Sequence, residues 1–362
     1  MNKLNTQSSN SKPLVSVVID SYNYARFLPA AIDSALDQSY SNVEVIVVDD
    51  GSTDDSKRVI ESYGSRVKGI FKQNGGQASA INEGFRHARG EIVYFLDSDD
   101  VAAPDVLEKI VRLYAAQNDK NVAFQFKLNI IDKDGNATGG IMPDIEKLPG
   151  SEARELLEEK GFYVFPPTSG NVFSRKILEQ IMPIPEADFR VCADIYLCTM
   201  AGLIGTIVTT EETLGAFRLH GANNSSSIEM QVSHRIEDYI EMMIYEAGAR
   251  KKSKEICENY FRRPIGGNSE LLSVICHSAQ QKLVKNDAGK SGKLSRFEMA
   301  KKFWNELREQ AQIAPTRKKI PVMLYLAMIA FLPKNMVSQL VRMTFVDKPK
   351  PLDFLFKRAF SR

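Results

Sequence analysis

Gly90-Glu91-Ile92-Val93-Tyr94-Phe95-Leu96-Asp97-Ser98-Asp99-Asp100 passes from an apolar run into three carboxylates within four residues. Ile92 to Leu96 is β-branched, aromatic and uncharged, the pattern of a strand buried on both faces of a largely parallel sheet. Open α/β sheets bind ligands beyond the carboxyl ends of their strands, so Asp97, Asp99 and Asp100 are expected at a crevice. Hard oxygen ligands there suit Mg²⁺ or Mn²⁺, which in turn would hold a diphosphate. The plainer alternative is a polar strand-to-helix turn, with Asp100 or a neighbour near the start of a helix that has Pro104 in its first turn.

Upstream, the same design repeats. Leu14 to Ile19 reads as a buried strand ending in Asp20-Ser21-Tyr22-Asn23, and Phe27 to Leu36 carries apolar residues at helical spacing. Val43 to Val48 is the next strand and ends in Asp49-Asp50, followed by Gly51-Ser52-Thr53-Asp54-Asp55, where Ser52 and Asp55 have the spacing of an acidic capping box. Two adjacent carboxylates exceed what one cap requires and suit hydrogen bonds from a base or ribose. Val67 to Phe71 is a further strand, and Asn74-Gly75-Gly76 then forms a small-residue turn that admits close backbone approach. The turn is neither Gly-x-Gly-x-x-Gly nor a P-loop, which removes the main support for dinucleotide-binding and P-loop readings.

Composition sets the outer bounds. A chain of 362 residues with 43 % apolar content has material for one large domain or two smaller ones. A net charge of +2 gives no basic field of the kind that marks nucleic-acid binders. Cys192, Cys198, Cys257 and Cys276 contain no Cys-x-x-Cys pair, which argues against a zinc site or a disulfide framework. Met1 to Lys12 is polar and lacks an apolar signal-peptide core, so a cytoplasmic location and a disordered tail over 1–12 are expected.

Four motifs in order make residues 13 to about 115 resemble the nucleotide-sugar-binding half of the inverting family-2 glycosyltransferases, which have the GT-A fold. They are Val15 to Ile19 with Ser21-Tyr22-Asn23, Glu44 to Asp54, Asn74-Gly75-Gly76, and Phe95 to Asp100. The resemblance implies a mostly parallel, Rossmann-like α/β sheet flanked by helices. It also implies a donor site of Ser21, Tyr22, Asn23, Asp50, Asn74, Gly75, Gly76, Asp97 and Ser98, with Asp50 at a uracil-type base. Asp97 and Asp99 would lie at the sugar and the metal-bound diphosphate. The sequence departs at Asp20, where the family usually has proline.

Beyond Val122 the pattern turns hairpin-like, with a turn near Asp134-Gly135. Ser151 to Lys160 reads as a helix, Pro166 to Phe173 as an extended stretch leading into another, and Gly205 to Thr209 with Leu214 to Arg218 as paired strands. In Val191-Cys192-Ala193-Asp194-Ile195, an acid opens an apolar helix. By itself it suits the helix N-terminus. The resemblance makes Asp194 the general base, although Ala193 stands where the family commonly has Glu. Arg218-Leu219-His220-Gly221 resembles the family's Arg-x-His-Gly segment, with His220 a possible metal or diphosphate ligand beside Asp99.

The expected organisation is thus a GT-A domain over 13–228, with donor (13–115) and acceptor (116–228) halves, and a helical C-terminal region over 229–362. In that region Ile236, Ile240, Met243 and Ile244 form an apolar stripe, and Asn286 to Lys293 reads as a loop. Ile320 to Pro333 is too short to span a bilayer, but its flanking cations fit either a core helix or an anchor on an anionic membrane surface. The implied activity is a metal-dependent transfer, with Mn²⁺ or Mg²⁺, from a UDP-type sugar donor to a glycan or lipid-linked glycan acceptor. A catalytically inactive donor-binding scaffold and a sugar-phosphate nucleotidyltransferase are the alternatives.

Overall fold

A computed structural model of the chain describes residues 12–220 and 236–265, of which 236–248 as backbone alone. The described residues fall into two compact units, the first ending at Arg218 and the second beginning at Leu219.

The first unit opens with alternating strands and helices. These are β1 (Val15–Ser21), α1 (Leu28–Leu36), β2 (Val43–Asp49), α2 (Ser56–Ser62), β3 (Lys68–Phe71), α3 (Gln77–His87) and β4 (Ile92–Asp97). The four strands are parallel in the order β3-β2-β1-β4, so their carboxyl ends share one edge. Val15, Val17, Val18 and Ile19 of β1, and Ile92 to Leu96 of β4, are buried on both faces, as runs in which only Ser16 is polar require. Helix α3 approaches β1 through Gly84, where a Cβ would fall 2.2 Å from Val18 Cγ1. That close seat fixes the helix whose first residue, Gln77, enters the site.

The sheet continues through β5 (Val101–Ala102), β6 (Val122–Ile131), β7 (Ala137–Met142), β8 (Asn171–Ser174) and β9 (Thr206–Arg218). Helices α4 (Val106–Ala115), α5 (Ala153–Lys160), α6 (Arg175–Ile181) and α7 (Ala193–Ile204) are interspersed. Here strand directions mix. β8 is antiparallel to both β4 and β6, β9 runs parallel to β6, and β5 pairs antiparallel with β9. Aromatic side chains pack across this junction, with Phe95 and Phe173 centroids 6.0 Å apart and Tyr94 edge-on to Phe126 at 6.2 Å. Each such burial contributes about 1.5–3 kcal/mol. The result is a mixed α/β fold with a curled, mostly parallel sheet flanked by helices, as the sequence led us to expect.

Three local expectations change. Gly205–Thr209 and Leu214–Arg218 are not a hairpin but the two ends of one 13-residue strand, β9. The polar middle that looked like a turn stays extended, because Glu211 and Glu212 pair with Lys127 (3.4 Å) and Lys109 (2.5 Å) and register shifts against β6 absorb the irregularity. Ser52 and Asp55 form no capping box. Ser52 Oγ instead accepts from Asn23 N (2.9 Å), while Asp54 accepts from Ser56 N (3.0 Å) and Ala25 N (3.0 Å). Nor does Asp100 start a helix, because β5 intervenes and the residue before α4 is Asp105. The turn at Asp134-Gly135 is present, with Gly135 at φ 92°.

In the second unit α8 (Ile236–Phe261) is followed by a chain reversal in which Ile265 N donates to Glu258 Oε1 (3.1 Å). The residues of the proposed apolar stripe lie in α8 where the backbone alone is described. The tail over 1–11, the expected boundary at 228, the Asn286–Lys293 loop and the Ile320–Pro333 segment lie outside the described residues. Among the described residues, no helix is long and apolar enough to cross a membrane.

Candidate active site

At the carboxyl end of β2, Asp50 is 2 % exposed and its charge is met on every side. Oδ1 accepts from Lys72 Nζ (2.6 Å) and Gly75 N (2.9 Å), and Oδ2 accepts from Gly76 N (2.7 Å) and Gly75 N (3.1 Å). Asn74 Nδ2 donates to the Asp50 carbonyl (3.1 Å). Asp50, Asn74, Gly75 and Gly76 are therefore one hydrogen-bonded unit, a carboxylate in a nest of amides. Gly76 has φ 89°, a conformation that favours glycine.

The end of β1 is joined to this unit. Asp50 N donates to the Ser21 carbonyl (2.8 Å), and Asn23, at φ 59°, accepts through Oδ1 from Thr53 N (2.7 Å). Asn23 thus ties two loops together, and Tyr22 beside it is 47 % exposed. Ser21 Oγ is buried with no hydrogen-bond partner.

The end of β4 is the electrostatic opposite. Asp97 lies in register with Asp20 across the β1–β4 pair. Burial, and then the charges of Asp20, Asp100, Asp99 and Asp194, push the Asp97 carboxyl well above its ordinary range. Asp20 rises from 3.8 to about 8, first by burial and then through Asp99, and its Oδ1 is buried without a partner. Asp100, fully buried, is also raised by burial and by Asp99. Its Oδ1 accepts from Arg218 N (2.9 Å) while its Oδ2 has no partner. Arg218 is buried too and donates from Nε to the Asp99 carbonyl (2.8 Å), so the last residue of β9 clamps the turn that buries Ser98 and Asp99. The Tyr24 hydroxyl belongs to the same neighbourhood, raised by burial and by Asp99, Asp97, Asp100 and Asp20.

Helix α7 carries Asp194 in its first turn, and Asp194 is the weakest of the charges named above as raising Asp97. Asp194 Oδ1 accepts from Ile195 N (2.8 Å), so it also serves the helix start. Two residues position the helix against the donor turn. Gln77 Nε2 donates to Asp97 Oδ1 (2.9 Å) and Thr168 Oγ1 (3.2 Å), while its Oε1 accepts from Ala193 N (3.3 Å). Arg190 donates to Asn74 Oδ1 (2.5 Å) and to the Gly75 carbonyl (2.8 Å). Sequence reasoning missed Gln77, Arg190, Tyr24 and Arg218 as parts of the site. For Gln77 the only signal was its place directly after Gly75-Gly76, and for Arg218 its place beside His220. His220 itself is half-buried and belongs to the second unit.

A glycosyl transferase family 2 model matches residues 16–182. An uncharacterized glycosyltransferase of Nostoc sp. is 39 % identical over 225 residues, which cover 61 % of this chain and 69 % of that protein. The chain belongs to glycosyl transferase family 2. Other relatives in the family match over shorter spans. The chondroitin synthase of Escherichia coli is 35 % identical over 138 residues, covering 37 % of this chain and 20 % of the synthase. An uncharacterized glycosyltransferase of Rickettsia prowazekii is 37 % identical over 132 residues, 36 % of this chain and 42 % of its own. In fold, the chain is similar to residues 1–349 of S. aureus TarS in complex with UDP-GlcNAc. The TM-score is 0.51 at 16 % identity, covering 96 % of this chain and 92 % of that one. The chain is accordingly a family 2 glycosyltransferase of the GT-A fold.

Proposed function

We propose that this glycosyltransferase moves a sugar from a nucleotide diphosphate, UDP by preference, to an acceptor hydroxyl with inversion. The observation that carries the reading is the Gln77 amide, which ties Asp97 at the end of β4 to the Ala193 amide at the start of α7, one residue before Asp194. Asp194 takes the acceptor proton as the hydroxyl oxygen attacks the anomeric carbon. The bond from that carbon to the diphosphate breaks on the opposite face, and its electron pair leaves with the diphosphate. Asp50 and the glycine turn receive the base, with Ser21, Tyr22 and Asn23 beside it, and Asp97 and Ser98 lie at the sugar. TarS, whose fold the chain shares, has been crystallised with UDP-GlcNAc, which supports a UDP donor.

A divalent cation suits the donor set. The carboxylates supply hard oxygens, Asp20 Oδ1 and Asp100 Oδ2 are buried without partners, and the mutual repulsion of these groups would be relieved by positive charge. Among the described residues, no three acidic, cysteine or histidine side chains form a ready-made metal cage. That is the arrangement in which Mg²⁺ or Mn²⁺ rests on one or two carboxylates and completes its shell with water and substrate phosphates. Asp99 would hold it, and the cation would supply charge neutralisation of the leaving diphosphate. The domain reading is kept as part of this proposal, with donor residues from 13–115 and the base from 116–228. The acceptor is proposed as a glycan or lipid-linked glycan of the cell surface, reached from the cytoplasmic side.

The test is nucleotide release from a panel of UDP- and GDP-sugars with Mn²⁺ or Mg²⁺, with water as the acceptor. Asp194→Asn keeps the oxygen that accepts from Ile195 N, so thermal stability and UDP affinity stay near wild type while release falls by about 10²- to 10⁴-fold. A stability loss with unchanged release would leave Asp194 as a helix-start residue alone. Release from no donor, by wild type that binds UDP, would leave a donor-binding scaffold.

A further inference from the structure

The Gln77 side chain touches three elements of the site: the end of β4, the stretch before β8, and the start of α7. Its contacts are Asp97 Oδ1 at 2.9 Å, Thr168 Oγ1 at 3.2 Å and Ala193 N at 3.3 Å. A carboxamide offers both a donor and an acceptor end, and here they face opposite parts of the site. The donor end meets the carboxylate at the sugar position. The acceptor end meets one of the first amides of the helix that carries Asp194, an amide with no partner inside the helix itself.

The segment from Arg190 to Ala193 is otherwise tied to the same turn. Arg190 holds Asn74 Oδ1 and the Gly75 carbonyl, and the Arg190 carbonyl accepts from Ala78 N (3.3 Å). The fit is close, because a Cβ on Gly76 would lie 2.5 Å from Arg190 Cγ and 2.6 Å from its carbonyl oxygen. The base-bearing helix start is therefore registered on the donor-binding turn, and Gln77 is the point where that registration reaches a site carboxylate.

We infer that Gln77 is a positioning residue that couples donor occupancy to the placement of Asp194. It fixes the Asp97 carboxylate for the donor sugar and, through Ala193 N, sets the first turn of α7 in the same frame. This deepens the proposed transfer reaction and rests on it. Misplacement of a catalytic group by about 1 Å costs on the order of 10²-fold in rate, so loss of the bridge acts on turnover more than on binding.

Gln77→Met keeps the length and most of the volume of the side chain but none of its three hydrogen bonds, and Gln77→Glu keeps the acceptor end while placing an anion against Asp97. With UDP-GlcNAc, Mn²⁺ and water as acceptor, the Met variant is expected to lose about 10- to 10²-fold in kcat with donor KM changed less than about threefold. The Glu variant should raise donor KM as well. In an Asp194→Asn background, Gln77→Met should add little further loss. Wild-type kcat in the Met variant, or a loss fully additive with Asp194→Asn, overturns the coupling. Should turnover prove too slow to measure, amide hydrogen exchange decides. UDP with Mn²⁺ is expected to protect residues 190–196 in wild type but not in Gln77→Met, at equal UDP occupancy. Equal protection in both proteins overturns the inference even if Asp194 proves to be the base, whereas a normal rate in Asp194→Asn overturns the underlying reaction instead.

Discussion

The carboxyl ends of β2 and β4 lie on the same edge of one sheet, end in the same residue type, and differ in how their charge is met. At β2, Asp50 receives hydrogen bonds from Lys72, Gly75 and Gly76, and the local structure is complete without a ligand. At β4, Asp97 and Asp100, joined by Asp20 from β1, crowd together with raised proton affinities and with oxygens that have no partner. One end is built for stability, and the other crowds carboxyls whose charged forms are disfavoured. Such a cluster beside a satisfied one points to where a ligand contributes.

The largest expected effect breaks the satisfied end. Asp50→Ala removes the buried member of an ion pair and leaves two glycine amides without their acceptor, which costs about 2–4 kcal/mol in a chemical denaturation experiment. It also weakens UDP binding with or without metal, because the turn that receives the base is lost. A change under about 1 kcal/mol would show that the Gly75-Gly76 turn holds itself.

The unmet end responds with the opposite sign. Asp20 has its folded-state proton affinity raised from 3.8 to about 8, so between those values the native state holds a proton that the unfolded chain releases. Its stabilising contribution is complete below about pH 4 and is lost as pH rises through about 8. In metal-free buffer, Asp20→Asn should therefore match wild type near pH 4 and exceed it in thermal midpoint by a growing margin toward pH 8. A constant difference across that range would place Asp20 outside the cluster. Smaller still is the exposed Arg26–Asp134 pair at 2.9 Å, far from either extreme. Arg26→Ala should shift stability by no more than about 1 kcal/mol, and a larger loss would reveal a role in the site through its neighbour Phe27.

The contrast also explains what the sequence made readable. β1, β2 and β4 are largely apolar runs, broken only by Ser16 and Glu44, that stop at carboxylates, and the proposed function follows from where they stop. The residues that organise the site across the sheet left no local trace. Arg190 meets Asn74 from 116 residues away, and Arg218 meets Asp99 from 119. Gln77 looked like one more polar residue opening α3, because its partners Asp97, Thr168 and Ala193 come from three separate segments. The continuity of β9 was hidden for a similar reason. Glu211 and Glu212 resemble turn residues until Lys109 and Lys127 are set opposite them.

On the proposed reading, the β4 end takes a cation and a diphosphate while the β2 end serves the base. Calorimetric titration of UDP into wild type and Asp99→Asn, each with and without Mn²⁺, tests it most directly. Mn²⁺ should tighten UDP binding to wild type, and Asp99→Asn should abolish that gain while keeping the metal-free affinity, since the amide retains the shape but not the charge. An undiminished Mn²⁺ dependence in Asp99→Asn would contradict the assignment of the metal and diphosphate to this end of the sheet.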